Sequence, residues 1–204
     1  VDLAPCSWLS RRYGGDLAVL YVDAHADLNN VDESPSGHFH GMVVRALLGD
    51  APAGLAPARV VAPGAVVFAG LRELDPAEED ALRRFGIAAL SPAALRQIDG
   101  ALGGKLLSTG RTRLHVHLDL DVIEPSEFPH VSVPSPGGLS VEELRRLLQC
   151  AGDSLPLVGI TVTEARCLSC ADMAVVRQVL HELLGRRGLD VKARFSGDSV
   201  KEKK

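Results

Sequence analysis

Five short apolar runs, spaced along the chain and separated by amphipathic stretches, constrain its fold more than any other feature. They are Leu17 to Val22, Ala65 to Leu71, Ile87 to Leu90, Leu114 to Leu118, and Leu157 to Thr163. Each has the length of a buried strand and is too short for a helix. Helix signals lie between them. Asp75-Pro76 places a capping carboxylate before a proline in the first turn, and Ser91-Pro92 opens a helix to about Leu102 in the same way. Ser140-Val141-Glu142-Glu143 is a capping box ahead of Leu144, Leu147 and Leu148, and a last helix spans about Ala171 to Leu184. Strands alternating with helices predict an α/β fold with a parallel sheet covered on both faces.

Composition excludes several classes. A length of 204 residues corresponds to about one domain, and 46% hydrophobic with 24% charged residues argues against a disordered chain. Twenty Gly and twelve Pro argue against a coiled coil. The net charge is −4, and the main basic cluster, Lys201-Glu202-Lys203-Lys204, reads as a solvated tail, so no nucleic-acid partner is expected. No apolar run approaches the roughly 18 residues that suggest a membrane span. Cys6, Cys150, Cys167 and Cys170 are too few for a disulfide scaffold, which points to a reducing cytoplasm. Cys167 and Cys170 lack the second pair that a structural zinc needs, and read as packing residues. Ala51 to Gly64 reads as a surface connection. Residues 1–185 form the domain and residues 186–204 a poorly packed basic extension. The chain starts at Val1, without Met and without a signal-peptide pattern.

In parallel α/β folds, functional groups gather beyond the carboxyl ends of the strands. Two strands end in acidic clusters, Asp23-Ala24-His25-Ala26-Asp27 and Asp119-Leu120-Asp121. In extended backbone, alternate residues point to one side, so each cluster can aim its polar groups into one space. Four carboxylates and one imidazole would repel one another strongly without cations. A pair of divalent metals resolves that repulsion, and carboxylate with some imidazole favours Mn(II) over a structural zinc. His115 and His117 share the strand face of Asp119 but lie deeper, and read as satisfied core histidines. Trp8 and Tyr13 read as packing residues.

Several motifs in one order resemble the ureohydrolases, the arginase and agmatinase family. They are Asp23-Ala24-His25-Ala26-Asp27-Leu28-Asn29, Ser36-Gly37-His38-Phe39-His40-Gly41, Gly70 to Glu78, Leu118-Asp119-Leu120-Asp121-Val122, and Pro136-Gly137-Gly138-Leu139-Ser140. The resemblance covers roughly Asp16 to Leu184. It implies a three-layer α/β/α fold with two Mn(II) ions bridged by a hydroxide that attacks a guanidinium carbon and releases urea. Asp23 and Asp119 match the bridging carboxylates, Asp27 a ligand of the first metal, and His25 and Asp121 ligands of the second. His40 matches the residue that passes a proton to the departing amine, and Glu164 the carboxylate that holds the guanidinium. Asn29, Ser34, Ser36 and His38 sit where an α-carboxylate is bound. Asp75 and Glu78 sit where an α-amino group is bound, although Asp75 also reads as a plain helix cap. The resemblance further implies a small guanidino substrate and a homo-oligomer, a trimer or hexamer.

The sequence departs from the family pattern at three places. The family's remaining ligand of the first metal, in a Gly-Gly-Asp-His loop, would fall at or just before Val1, and Gly14-Gly15-Asp16 lies too close to Asp23 to supply it. Val133 stands where a hydroxyl residue is usual, and Glu164 is followed by Ala165-Arg166-Cys167 rather than Val-Asn-Pro. The expectation is therefore the later part of a larger domain, lacking its N-terminal part and leaving an exposed sheet edge or apolar face. Agmatinase, guanidino-acid hydrolase and formimidoylglutamase are alternatives of the same chemistry. A non-catalytic chain with an incomplete metal site is the alternative of a different kind.

Overall fold

The computed structural model describes residues 2–97, 100–166 and 169–184. All five apolar runs form strands: β1 (Ala18–Val22), β2 (Val66–Ala69), β3 (Ala88–Leu90), β4 (Leu114–Asp119) and β5 (Leu157–Thr163). Every pairing is parallel and the order is β3-β2-β1-β4-β5. The chain fills the sheet to one side of β1 with β2 and β3, then to the other with β4 and β5. The β1/β4 boundary is thus where the strand order reverses, the place where parallel sheets open a crevice.

Alternation along the strands divides the core into two layers. Ala18, Leu20 and Val22 of β1 and Leu114, Val116 and Leu118 of β4 face one layer. It is closed by α5 (Ala101–Ser108), α6 (Val141–Ser154) and α7 (Cys170–Leu184), through residues such as Leu106, Leu144, Leu148 and Val179. Val19 and Tyr21 face the other layer, closed by α1 (Leu3–Arg12), α2 (Val43–Leu47) and α3 (Pro76–Phe85). A parallel sheet sandwiched between helices is the expected three-layer architecture. β5 forms one edge, and Val158–Thr163 are only half-buried.

Local chemistry explains most boundaries. Asp75 caps α3 by accepting the Glu78 N–H at 3.0 Å while Glu78 accepts the Asp75 N–H at 3.2 Å. Ser140 and Glu143 form the same reciprocal box on α6. The helix expected from Ser91-Pro92 to about Leu102 is instead two elements, α4 (Pro92–Gln97) and α5, the second of which starts at Gly100, whose φ of +79° is not helical. α1 was not expected from the sequence: unlike α3 and α6 it has no side-chain cap and no acidic residue in its first turn to mark its start. Trp8 is 57% exposed and lies under Arg12 rather than in the core, whereas Tyr13 packs against the second layer. Asp16 of the Gly-Gly-Asp triplet binds the Thr112 N–H at 2.7 Å, a structural contact far from the acidic clusters in function. Cys167 and residues 185–204 lie outside the described residues.

Two close contacts hold the loops around the crevice. A Cβ on Gly138 would lie 2.6 Å from the Val122 carbonyl oxygen and 2.7 Å from the Glu124 nitrogen, and Ile123 bridges Leu139 beside it. Arg72 donates to the carbonyls of Gly70, Asp121, Ser135 and Pro136 at 2.6–3.1 Å, tying the end of β4 to the 135–136 loop. Gly138→Ala is expected to cost about 2 kcal/mol or more, because backbone cannot move aside as a side chain can. A lowered urea midpoint with an unchanged slope checks this; an unchanged midpoint contradicts it.

Arg96 grips Glu143 with two nitrogens, at 2.7 and 3.0 Å, so that this hydrogen-bonded guanidinium holds the carboxyl down at about 2. A depressed acid stabilises the fold above its unfolded pKa, and that stability is lost as pH falls toward 2. The pair is solvent-facing, so Glu143→Gln is expected to cost about 0.5–1 kcal/mol near neutrality. The difference between the two proteins should shrink progressively as pH falls from 4.5 toward 2, as read by paired urea melts at pH 7, pH 4 and pH 2.5.

Candidate metal centre

Each acidic cluster is shaped by a turn in which an aspartate bonds its own backbone two residues on. Asp23 Oδ1 accepts the His25 N–H at 2.7 Å, and Asp119 Oδ1 accepts the Asp121 N–H at 2.9 Å. The two turns are stitched together, since Asp121 Oδ1 accepts the Ala24 N–H at 3.2 Å and Asp121 Oδ2 lies 2.9 Å from His25 Nδ1. Thr163, at the end of β5, donates to Asp119 Oδ2 at 2.8 Å, and Tyr21 donates to Asp27 Oδ2 at 2.6 Å. Asp23, Asp119 and Asp121 are buried.

The ligand atoms of Asp23, His25 and Asp121 all lie within 4.8 Å of one another, and so do those of Asp23, His117 and Asp119. The two triads share Asp23. Both can hold a divalent cation by the chemistry of their donors, hard oxygens with one imidazole each. A third triad, Asp2, Cys6 and His115, sits deeper.

His117 differs from its expected role as a satisfied core residue. It follows the alternation of β4, whose even positions are apolar while His115, His117 and Asp119 face the opposite layer. Its Nε2 is 3.4 Å from Asp23 Oδ2, and its Nδ1 is 3.4 Å from Asp2 Oδ2 without a hydrogen bond. His115 binds Asp2 Oδ1 at 2.9 Å, yet its Nδ1 also lacks a partner. Sequence reasoning missed Asp2, which meets β4 across 113 positions of chain, a contact no local pattern can announce. The signal for His117 was present in the shared face with Asp119.

Crowding shows in the protonation of the groups. Burial and then the Asp23 charge push Asp27 up to about 8, against the Tyr21 hydrogen bond. Burial with the charges of Asp23 and Asp121 pushes Asp119 up to about 9. Burial works against charge on His25, but hydrogen bonds to Asp121 and Asp23 prevail and raise it to about 11. His117 rises to about 10 in the same way, through Asp2 and Asp23. Burial also disfavours the Asp23 anion, yet the neighbouring His117 and His25 imidazoles and the His25 N–H keep it below the ordinary range. Without cations, the cluster holds protons in their place.

The centre forms the floor of a cavity of about 610 Å³. Asn29, Ser36, His40, Asp75, Glu78 and Glu164 line its walls, as do Val133 and Ala165 of the departing positions. Ser34 and His38 are not among the lining residues: Ser34 Oγ accepts the Gly37 N–H at 3.1 Å, and the exposed His38 ring lies 5.6 Å from that of His40. Asp75 and Glu78 carry structural duties as well, for Glu78 also accepts the Leu28 N–H at 3.1 Å and Asp75 the Asn29 amide at 2.7 Å. Asn29 Oδ1 is buried without a partner. Glu164 accepts the Ser132 N–H at 2.8 Å. Among the described residues, Asp27 and Glu164 are the non-glycine residues of positive φ, at 51° and 59°. Such backbone is uncommon and gathers at functional sites.

The Arginase family profile matches residues 3–178. An arginase of Neurospora crassa is 32% identical over 169 residues, covering 76% of this chain and 46% of its own length. The chain therefore spans about half the length of that relative. The crystal structure of Bacillus subtilis arginase superposes with a TM-score of 0.76 at 27% identity, over 83% of this chain and 61% of that one. An Entamoeba histolytica arginase structure has a TM-score of 0.80 at 20% identity, over 89% and 65% of the two chains, a likeness of fold. Among the described residues no helix is long and apolar enough to cross a membrane. A parallel α/β sheet with a carboxylate-rich crevice at its switch point, matched by the family profile along most of its length, makes this chain a member of the Arginase family.

Proposed function

We propose that the chain carries the catalytic centre of a manganese-dependent amidino hydrolase that acts as arginases do, releasing urea from a small guanidino substrate in the cytoplasm as a homo-oligomer. One observation carries this reading. Asp23, His25, Asp27, Asp119 and Asp121 converge on the floor of a cavity whose walls mix polar groups, among them Asn29, His40 and Glu164, with apolar ones such as Val43 and Val133. These five residues would hold two Mn(II) ions, which supply Lewis acidity and lower the pKa of water.

The reaction adds water across a C–N bond of the guanidinium, giving urea and a primary amine. The departing nitrogen needs a proton, and His40 lines the cavity with an imidazole that can act as its donor. Glu164 lines the cavity, and its carboxylate would suit a guanidinium N–H pair. The unpartnered Asn29 Oδ1, with Ser36, Asp75 and Glu78, offers contacts for the α-amino and α-carboxylate groups of an amino-acid substrate. This favours arginine over a simple amine such as agmatine.

Purified protein with excess Mn(II) should form urea from arginine with a higher kcat/KM than from agmatine or guanidino acids. Formamide from a formimidoyl substrate would move the assignment to that branch. Two bound ions without turnover of any of these compounds would overturn the enzyme reading. His40→Ala should lower kcat for arginine by about 10²–10⁴-fold, with less effect on a substrate whose leaving amine is less basic.

Metal binding should release protons. Asp27 at about 8 and Asp119 at about 9 must lose theirs to accept a cation, so Mn(II) affinity should rise with pH through that range. Carboxylates raised in the folded state stabilise it below their unfolded pKa and lose that contribution as pH rises through 8 and 9. Histidines raised to about 10 and 11 act in the same direction. The cation-free protein should therefore melt lower at pH 8.5 than at pH 6.5, and the Tm gain on adding Mn(II) should be larger at the higher pH. Calorimetry in buffers of different ionisation enthalpy counts the protons.

A further inference from the structure

We propose that His117 is itself a metal ligand, the imidazole of the Asp23–His117–Asp119 triad, and that Asp2 is its positioning residue. This rests on the metal-centre reading above and goes beyond its ligand set, which has one imidazole, His25.

The geometry favours ligation over a buried ion pair. His117 is 4% exposed and lines the cavity floor, with Nδ1 turned to Asp2 and Nε2 turned to the acidic cluster. Its Nε2 faces Asp23 Oδ2 at 3.4 Å, with Thr163 Oγ1 at 3.5 Å, neither close enough to be a strong hydrogen bond. Two acceptors facing one nitrogen at that distance leave room for a cation among them. The two triads are also matched in composition: each joins Asp23 and one further aspartate to one histidine.

The other side of the ring has the support that metal-bound histidines use. A ligating imidazole turns its second nitrogen toward a carboxylate, which fixes the tautomer and raises the basicity of the ligand. Asp2 presents that carboxylate from the N-cap of α1, 1% exposed, with Oδ1 committed to His115 and Oδ2 3.4 Å from His117 Nδ1 and without a hydrogen bond. The ring plane is fixed as well. Tyr21 stacks on it with centroids 3.8 Å apart and planes 7° from parallel, and the Tyr21 hydroxyl donates to Asp27. Tyr21 and His117 are register partners on β1 and β4, so the strand pairing itself sets the stack.

The test is metal counting with spectroscopy on the whole chain. The wild-type protein, His117→Ala and Asp2→Asn are dialysed against Mn(II); bound metal is measured by elemental analysis and the EPR spectrum recorded. Wild type should bind two ions with a spin-coupled signal. His117→Ala should bind one, with the six-line pattern of an isolated Mn(II). Asp2→Asn should still bind two, the weaker one with about 10–100-fold lower affinity. Circular dichroism of the metal-free proteins separates ligand loss from misfolding. A second measurement avoids mutating His117: in ¹⁵N-histidine protein carrying His25→Ala, pulsed EPR should still detect an imidazole nitrogen on the remaining Mn(II). Two ions at unchanged affinity in His117→Ala, or no such nitrogen coupling, would overturn the assignment while leaving the metal centre standing. No metal bound by wild type would overturn both.

Discussion

Everything at this site follows from the difficulty of burying like charges together. Two unit charges 4 Å apart repel by about 4 kcal/mol at an effective dielectric of 20, and Asp23, Asp119 and Asp121 share one buried crevice with Asp27. Protons, imidazolium groups or cations must answer that repulsion. The backbone contributes a first part of the answer. In both turns an amide N–H satisfies one carboxylate oxygen, which fixes the aspartate without neutralising it. What remains is a set of oriented oxygens, with two histidines standing among them. Such a set tolerates emptiness only while protonated, which couples cation uptake to proton release.

The fold delivers these residues through its topology. The β1/β4 boundary is where strand order reverses, and both clusters lie just past the ends of those two strands. Parity then decides which side chains reach the centre. On β4, even positions close a helical layer while odd positions carry His115, His117 and Asp119 toward α1. A one-residue slip of that strand would bury Leu118 in the cavity and push the polar set into the apolar layer. The loops are pinned independently, by the backbone approach at Gly138 and by the four carbonyls that Arg72 gathers.

Much of this was legible in the sequence because it is local. The strands, the caps at Asp75 and Ser140, and the strand-end aspartates depend on neighbours within a few positions. What escaped depends on distance along the chain. α1 carries no capping signal at its start, and Asp2 gains its meaning only from His115 and His117. The break at Gly100 escaped because an isolated glycine in a helical pattern is usually tolerated. His117 is buried as expected, but it also borders the crevice. A histidine on a strand face is ordinarily a packing residue; the face it shares with Asp119 hints at the crevice, and the register with Tyr21 and the approach to Asp23 place it there.

The two strained carboxylates stand on the floor and on the wall of the same cavity. Asp27 and Glu164 hold positive φ values that cost about 1–3 kcal/mol each when imposed on residues other than glycine. Both lie just beyond strand ends, where the chain leaves the sheet and could relax if nothing held it. Asp27 is held by Tyr21 through its carboxylate, and its own carbonyl accepts from Val44 and Arg45, which anchors the turn to α2. Glu164 is held by the Ser132 amide, with the Arg166 amide on its carbonyl. In each case a remote element maintains the conformation that turns a carboxylate inward. The placement of charge at this site is thus a property of the surrounding packing as much as of the acidic residues themselves.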